Sequence, residues 1–482
     1  MKSITSNTKN LEPGTLELGT NESPKPNGMH ALCTRAFSIL FSIAILFSFA
    51  YPQDEYSPLA TMNGRSFTVQ DLPFEVSDAW SKLPETLVRA KKDLLELQID
   101  EVLVAQEAIK RSMNSDTLLD LEVTKKVPNP TAKQIQAFYE ENKAAIGDVP
   151  LADVRDDIIR FMRIELEKNA KEGFVKGLRE VAKISYLNDV TAKSGGSNEV
   201  LVLVNDEPIS YSRFLARNGL PLYEYEANVF DKMKQSLDII VDSAVYQEEA
   251  QARDISVSGL MRVEITDKMT EVTSAEQQRL ESALKAKLFS KYRVKYFVNE
   301  PRPFVQKISA DDDPFIGKRD ATVTIVIFAD YECPGCAAFS PLLKKTVEKY
   351  GDKVRLVYRD FPLTKIHKQA FGAALAANAA SKQGKFFEYG ELLYNNQQAL
   401  SEQDLKKYAV QLKLDVAKFS ADMKSAEAES EVRNDMKEGE QYGVSGTPSV
   451  FIDGYKLRSL SIPALEAAIE KAIAGEFRIV IN

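Results

Sequence analysis

The sequence is poor in cysteine and histidine, with three cysteines and two histidines in 482 residues. A scaffold held together by disulfides needs more cysteines than this. A structural zinc site needs four ligands, and Cys333 and Cys336 could add only the distant Cys33, His30 and His367. We therefore exclude a disulfide-rich fold and expect no metal site.

The sequence also lacks a cluster of basic residues, and its formal net charge is -8. Phosphate binding requires grouped Lys and Arg, so we expect no nucleic-acid partner. Hydrophobic residues make up 44% and charged residues 27% of the chain, which is ordinary for a folded soluble protein. A chain of 482 residues predicts two to four compact units.

Residues 1–50 are predicted to be a leader. An uncharged apolar run from Ala36 to Tyr51 follows Arg35, which matches the core of an export signal and is slightly short for a membrane span. The small residues Ser48 and Ala50 suit cleavage after position 50. We expect a periplasmic or cell-envelope protein, with the run either removed or kept as a membrane anchor.

A first helical module is predicted at 51–193. Apolar residues in the segment Lys92 to Arg111 are spaced like one face of a helix. Thr131, after a proline-rich break, is suited to cap a further helix. The polar segment Ser194 to Asn198 predicts a flexible joint.

A second helical module, predicted at 199–300, echoes the first. Met62-Asn63-Gly64 is similar to Val204-Asn205-Asp206, and each precedes a long amphipathic stretch at nearly the same offset. Either a duplication or chance similarity of two such stretches explains the echo. Both starts resemble the helical chaperone region of SurA-like and parvulin-associated proteins, which implies binding of unfolded polypeptide. A plain spacer or a module for homo-oligomers is the alternative.

After a predicted linker at 301–318, a last domain is predicted at 319–482. Ala321 to Ala329 is apolar and rich in β-branched residues, as expected of a strand covered on both faces. Cys333-Pro334-Gly335-Cys336 follows directly, and Pro334 suits the first turn of a helix. Cys333 is therefore expected at a helix N-terminus.

This position predicts unequal thiols. Unpaired N–H groups and the helix dipole stabilise a thiolate, so the pKa of Cys333 should fall into the range of about 3.5 to 7.5. Cys336, one turn further on, should be more buried and less acidic. The spacing thus predicts an exposed attacking sulfur and a nearby resolving sulfur, which is what exchange through a mixed disulfide requires.

Several motifs occur in order from about Arg319 to the end of the chain and closely resemble the DsbA-like branch of the thioredoxin superfamily. They are Tyr331-Glu332-Cys333-Pro334-Gly335-Cys336, Arg359-Asp360-Phe361-Pro362-Leu363, His367 and Gly443-Val444-Ser445-Gly446-Thr447-Pro448. The resemblance implies a thioredoxin fold of four to five strands with a helical insertion. With the helical pattern before it, the predicted fold class is a mostly helical N-terminal region followed by an α/β thioredoxin fold. It also implies that Thr447-Pro448 is a cis-proline loop beside the dithiol, where client peptides bind.

The sequence departs from this family at two places. Many relatives carry a buried carboxylate six residues before the first cysteine, where this chain has Ile327, so Asp330, Glu332 or water must assist the resolving thiol. The strongly oxidising members place a His between the cysteines, where this chain has Pro334 and Gly335. We therefore expect a less stabilised thiolate and a less oxidising couple. We assign His367 no catalytic role.

The leading interpretation is an exported thiol-disulfide oxidoreductase that forms or isomerises disulfides. Its catalytic residues are Cys333 and Cys336, its expected partners are unfolded or cysteine-containing exported proteins and a redox recycling partner, and no cofactor is expected. The alternative is a periplasmic chaperone or assembly factor whose redox domain is secondary. A reductase of peroxides or cofactors is disfavoured because the implied groove at Thr447-Pro448 suits peptides.

Overall fold

The structure is a computed structural model that describes residues 56–192, 198–310 and 313–477. The predicted leader 1–50 and the apolar run ending at Tyr51 lie outside these ranges, and so does most of the predicted joint from Ser194. Within the described ranges, no helix is both long enough and apolar enough to cross a membrane.

The described chain up to residue 300 is mainly helical, as predicted. Its helices are α1 (Phe74–Lys110), α2 (Ser115–Leu119), α3 (Ala132–Glu141), α4 (Lys143–Ile146), α5 (Leu151–Val181), α6 (Tyr211–Ala252), α7 (Val257–Glu264) and α8 (Ser274–Lys291). Its strands are β1 (Ala60–Met62), β2 (Arg65–Phe67), β3 (Ile184–Tyr186), β4 (Val200–Val204), β5 (Glu207–Ser210) and β6 (Lys295–Tyr296). Thr131 caps α3 with its side chain, as its sequence context predicts.

The echo in the sequence corresponds to a hairpin followed by a long helix, which occurs twice. Asn63 and Gly64 join β1 to β2, and Asn205 and Asp206 join β4 to β5, all four with positive φ. Positive φ at both turn residues is the geometry that matches the twist of a two-residue hairpin, and Asn, Asp and Gly adopt it most readily. The first hairpin leads into α1 and the second into α6.

Residues from both predicted helical modules build the same cores. β1 pairs with β6 as well as with β2, so the start and the end of the helical region share one sheet. Leu83 of α1 packs in one cluster with Met233 of α6 and Leu288 of α8. Ile99 of α1 packs in a second cluster with Leu201 and Phe214. Burial of α1 against α6 therefore holds the two halves together.

The last domain contains a five-stranded sheet in the order β11-β10-β8-β9-β7. Its strands are β7 (Phe315–Ile316), β8 (Val323–Ala329), β9 (Val354–Asp360), β10 (Ser449–Ile452) and β11 (Tyr455–Lys456). β8 and β9 are parallel and the other pairs are antiparallel. Six of the seven residues of β8 are buried, because helices cover both faces of the sheet.

Helices surround this sheet and confirm the predicted fold class. The domain's helices are α9 (Pro334–Glu348), α10 (Ala370–Ser381), α11 (Phe386–Asn395), α12 (Glu402–Gln411), α13 (Val416–Met423), α14 (Ala426–Gln441) and α15 (Ile462–Ile473). α9 connects β8 to β9, and α10 to α14 form the insertion between β9 and β10. The result is a thioredoxin fold with a helical insertion, behind a mostly helical region.

Part of the predicted linker 301–318 belongs to the domain that follows it. Val305 forms an isolated bridge with Tyr455, and β7 is the edge strand beside β9. Short segments with few apolar residues give little periodic signal, so these pairings with distant strands were not predictable from the local pattern. The sheet therefore begins before the predicted boundary at 319.

The helical region contacts the thioredoxin-fold domain through α6. Leu220 and Tyr223 pack with Phe304 and Tyr455. Arg458 pairs with Asp231 of α6 at 2.6 Å. All the described residues fall within one compact unit, 50–482. The contact is tight at Gly219, where an added Cβ would lie 2.2 Å from the ring of Phe304.

We predict that Gly219→Ala destabilises this contact. The new methyl group overlaps the Phe304 ring, and such overpacking typically costs about 1–3 kcal/mol. Gly177→Ala is the matched control, because Gly177 also lies inside a helix but has open space around its Cα. Thermal unfolding should show a lower midpoint for Gly219→Ala and an equal or higher midpoint for Gly177→Ala. Equal midpoints for the two variants would contradict the tight contact.

Candidate active site

The two cysteines lie where β8 passes into α9. Cys333 is the N-cap of α9 with extended backbone, and Pro334 is its first residue. Proline suits that position because its fixed φ fits the helix and no N–H is lost. Cys336 lies in the first turn and is fully buried, whereas Cys333 remains 8% exposed. Both cysteines lie at the helix start that the sequence predicts, with free thiols, but Cys333 is buried rather than exposed because the loop before β10 lies against it.

The two thiols differ strongly in acidity. A hydrogen bond with Cys336, opposed by burial and aided by Thr447 and the N–H groups of Cys336 and Gly335, lowers the pKa of Cys333 to about 5. The same hydrogen bond, reinforced by burial, raises the pKa of Cys336 far above that of a free thiol. At neutral pH the pair is therefore a thiolate at Cys333 and a thiol at Cys336.

The loop before β10 lies against Cys333. The Thr447–Pro448 peptide bond is cis, as the resemblance implies. The thiol form of Cys333 donates to the Thr447 carbonyl oxygen at 3.4 Å. Thr447 Oγ1 is buried without a hydrogen-bond partner among the described residues. A Cβ on Gly335 would lie 3.3 Å from Pro448 Cδ, so glycine there permits this close approach.

Asp330 and His367 form a pair beside the dithiol, and the sequence analysis did not predict their contact. His367 Nδ1 lies 2.7 Å from Asp330 Oδ2. Asp330 also contacts both cysteines through its backbone, since its carbonyl accepts from Cys333 N at 3.2 Å and its N–H donates to Cys336 Sγ at 3.4 Å. Parallel strands end at the same edge of a sheet, and Asp330 and His367 both follow such strands. The shared edge at which these two strands end is the feature from which the contact between Asp330 and His367 could have been inferred.

His367 is more basic than an ordinary histidine. Burial alone would lower its pKa, but the hydrogen bond and the negative charge of Asp330, with smaller contributions from Cys333 and Glu332, raise it. A protonated imidazole beside Cys333 favours the thiolate. When it is protonated, His367 therefore places a positive charge near Cys333 from the loop after β9.

Other side chains hold the segment before α9 in place. Gln397 Nε2 donates to the carbonyl oxygens of Tyr331 and Cys333, each at 2.9 Å. Glu332, predicted as a neighbour of the motif, accepts from Gln369 N at the start of α10 at 2.7 Å. Glu332 thus links the dithiol segment to the helical insertion.

Ile327, at the position where relatives carry a carboxylate, is fully buried between β9 and β10. The buried carboxylates lie further along, at the end of β9. Burial, with a smaller contribution from Asp435, raises the pKa of Asp360 to about 8, although Asn378 donates to Asp360 Oδ2 at 2.7 Å. Arg359 is paired with Asp435 and Glu438. These side chains fasten α14 and α10 to the sheet.

One group of acidic side chains in the described ranges is close enough to hold a metal ion. Oxygen atoms of Asp313, Glu431 and Asp435 lie within 4.8 Å of one another. Arg359 pairs with two of them, at 3.0 Å from Asp313 and 2.5 Å from Asp435. The guanidinium of Arg359 already supplies the positive charge among these carboxylates, and neither cysteine belongs to the group.

We predict that Cys333 reacts with an alkylating reagent with a midpoint near pH 5, while Cys336 is spared. Cys336→Ala removes the main hydrogen bond to the thiolate, so the midpoint should rise by about one to two units. Mass spectrometry of pulse-labelled protein measures both. Preferential labelling of Cys336, or an unchanged midpoint in Cys336→Ala, would contradict the assignment of attacking and resolving sulfur.

We also predict a pH-dependent contribution of His367 to stability. Folding raises its pKa, so the stabilisation is fully present below about pH 6.5, the unfolded value, and is lost as the pH rises through the folded value. The difference in unfolding free energy between the wild type and His367→Gln should shrink over that interval. The exposed neighbour Lys368 serves as control, since Lys368→Gln should show no such trend. A pH-independent effect of His367→Gln would exclude a charged pair with Asp330.

A comparison with protein families matches residues 309–471 to a thioredoxin family. Among curated proteins, the chain is 37% identical over 169 residues to the Na(+)/H(+) antiporter NhaA 3 of Salinispora tropica, covering 35% of this chain and 26% of that protein. It is 31% identical over 169 residues to the NhaA antiporter of Herminiimonas arsenicoxydans, covering 35% and 27%. The chain thus spans about a quarter of the length of these relatives.

Solved structures give similar partial matches. A thioredoxin-like oxidoreductase from Silicibacter pomeroyi is 28% identical with a TM-score of 0.31, covering 33% of this chain and 92% of that chain. Oxidised BdbD from Bacillus subtilis is 24% identical with a TM-score of 0.32, covering 36% and 100%. On the family match and the topology described above, residues 309–471 form a thioredoxin-fold domain of the kind found in thiol-disulfide oxidoreductases.

Proposed function

We propose that this chain is an exported protein thiol-disulfide oxidoreductase that forms or isomerises disulfides in extracytoplasmic clients. The observation that carries the proposal is the opposite acidity of two adjacent thiols, a Cys333 thiolate and a buried Cys336 thiol, beside the Thr447–Pro448 loop. An attacking thiolate that is a good leaving group, next to a resolving thiol, supports repeated exchange.

In the reducing direction, the Cys333 thiolate attacks one sulfur of a client disulfide. The other client sulfur leaves as a thiolate, and a mixed disulfide remains between Cys333 and the client. Cys336 then loses its proton and attacks Cys333 Sγ, which releases the second client thiolate and leaves the Cys333–Cys336 disulfide. Oxidation of a client is the reverse sequence. In isomerisation, a different thiolate of the same client attacks the mixed disulfide, which forms a new client disulfide and releases the Cys333 thiolate. Net oxidation or net reduction of clients requires a thiol or disulfide partner that recycles the pair.

The proton of Cys336 needs an acceptor because Ile327 provides none. Asp330 and His367 are two ionisable groups close to the dithiol: the Asp330 N–H donates to Cys336 Sγ, and the Asp330 carboxylate contacts His367. His367 is 17% exposed at its side chain, so it connects the buried end of the pair to water. We propose that this pair takes the place of the buried carboxylate of the relatives.

Export is part of the proposal and rests on the apolar run from Ala36 to Tyr51. A fusion of residues 1–60 to a reporter that is active only after export tests it. The fusion should be active, and an Ile43→Arg, Leu46→Arg variant that interrupts the run should not be. Activity of both fusions would show that the apolar run is not needed for export.

A second candidate function, the holding of unfolded clients by the helical region, is favoured by exposed apolar side chains on α5. Phe161 is 56% and Ile164 is 65% exposed, and few residues of this 31-residue helix are buried. The ring of Phe161 contacts Phe138 of α3 at a centroid distance of 5.4 Å. Exposed apolar side chains that group together often mark interaction surfaces. A client held there would have a raised effective concentration at Cys333.

We predict that Cys336→Ser accumulates covalent adducts with client proteins in cells and that Cys333→Ser does not. The serine at 336 cannot release the mixed disulfide, whereas loss of Cys333 removes the attacking sulfur. Non-reducing electrophoresis followed by mass spectrometry measures the adducts. The double variant Cys333→Ser, Cys336→Ser provides the background, and adducts of equal yield in both single variants would refute the stepwise exchange.

We predict that the full chain slows aggregation of a reduced, unfolded substrate and that Phe161→Ser, Ile164→Ser slows it less. Both side chains are exposed, so the substitutions should leave the fold intact. Exchange with a short dithiol peptide should be equal in the two proteins, which separates client holding from redox chemistry. Identical light-scattering curves for the substrate with and without the full chain would contradict client holding. The helical region would then be a spacer or an oligomerisation module.

A further inference from the structure

The long helix α6 contacts the start of the loop that carries Thr447–Pro448. Gly443 follows the end of α14 and has a φ of 78°. A Cβ at Gly443 would lie 2.8 Å from Leu220 Cδ2 of α6. Leu220 is 4% exposed, and Phe304 packs against the same cluster. The helical region therefore lies directly against the backbone at the beginning of this loop.

A second contact from α6 reaches Gly443 through a lysine. Lys456 lies on β11, and its Nζ donates to the Gly443 carbonyl oxygen at 3.3 Å. The same Nζ lies 3.0 Å from Oε1 of Glu224, which follows Leu220 by one turn of α6. The Lys456 side chain is 16% exposed. A mostly buried ammonium group needs a partner of opposite charge, so Glu224 holds Lys456 against the loop.

The loop is held at both of its ends. At the far end it passes into β10 at Ser449. At the near end the side chain of Val444 is buried in the core of the thioredoxin-fold domain, and Gly443 is held by the contacts from α6. Between these ends, the Thr447 carbonyl oxygen accepts from the thiol form of Cys333. A shift of Gly443 therefore changes the backbone that faces the dithiol.

Another ion pair joins α6 to the same domain and provides a comparison. Arg458 lies 2.6 Å from Asp231 and 3.0 Å from Asn228 Oδ1, and its guanidinium lies 6.0 Å from the centre of the Tyr223 ring. These partners all belong to α6, and within the described residues no hydrogen bond joins Arg458 to the Thr447–Pro448 loop. This pair fastens the helical region to the domain but does not hold the loop.

We propose that Glu224, through Lys456, positions the Thr447–Pro448 loop for an extended client peptide, so that the helical region sets how tightly the dithiol site binds its clients. In this role, which rests on the proposed exchange with client proteins, Glu224 acts on the loop backbone and not on the sulfurs. The client is recognised by its main chain, because an extended peptide pairs with exposed backbone groups.

Single-turnover reduction of a peptide disulfide by the reduced full chain tests this role. We expect Glu224→Ala to raise the half-saturating peptide concentration about three to ten times, the range for one lost hydrogen bond, with little change in the limiting rate. Loss of the loop site is not expected, because Val444 remains buried. Hydroxyethyl disulfide has no backbone that could pair with the loop, so its reduction should be equally fast in Glu224→Ala and the wild type.

Asp231→Ala is the matched control, since it removes the carboxylate of the other ion pair, and it should change neither quantity. Lys456→Met should raise the half-saturating concentration at least as much as Glu224→Ala. Adding Glu224→Ala to Lys456→Met should have no further effect, because both substitutions remove the same contact.

Four results would overturn the role of Glu224. They are equal half-saturation in Glu224→Ala and the wild type, an equal increase in Asp231→Ala, additive effects in the double variant, and an equal loss of rate with hydroxyethyl disulfide. Failure of the wild type to reduce either disulfide would refute the proposed function itself, and this role with it.

Discussion

The hydrogen bond between the two thiols at the start of α9 is the interaction on which the proposed chemistry depends. It lowers the pKa of Cys333 and raises that of Cys336, so one contact creates both the attacking and the resolving sulfur. The contact needs a helix that begins at Pro334 and a buried second cysteine in its first turn. The two parallel strands β8 and β9 provide that position, because they end at the edge where Cys333, Asp330 and His367 meet.

Much of this arrangement could be predicted from the sequence, since it is written in local patterns. The apolar strand and the proline after Cys333 predict a strand that passes into a helix at the first cysteine, whereas the position of Pro448 beside the dithiol is implied by the resemblance to DsbA-like proteins. The pairing of Asp330 with His367 could not be predicted in the same way. Its members are 37 residues apart in sequence, and their contact follows from the parallel pairing of two strands rather than from any periodicity. The sequence analysis assigns His367 no catalytic role, and its contact with Asp330 is the basis for the proposed role of the pair in accepting the proton of Cys336.

In the helical region, too, the local sequence predicts the helices but does not predict how they pack. The spacing of apolar residues predicts long helices, and the caps predict where some of them begin. Which helix packs against which depends on side chains far apart in sequence, such as Leu83 and Met233. The echo between the two halves is a repeated hairpin and helix, whose long members α1 and α6 lie together. α6 also contacts the thioredoxin-fold domain at Tyr223.

Equilibration of the purified chain with reduced and oxidised glutathione tests the central claim most directly. The account predicts a reversible two-electron transition in which the Cys333–Cys336 disulfide forms and glutathione is released. It also predicts a potential below about -120 mV, the value of the most oxidising relatives, because no histidine stands between the cysteines. A glutathione adduct that persists on Cys333, or the absence of a Cys333–Cys336 disulfide at every ratio, would contradict the account.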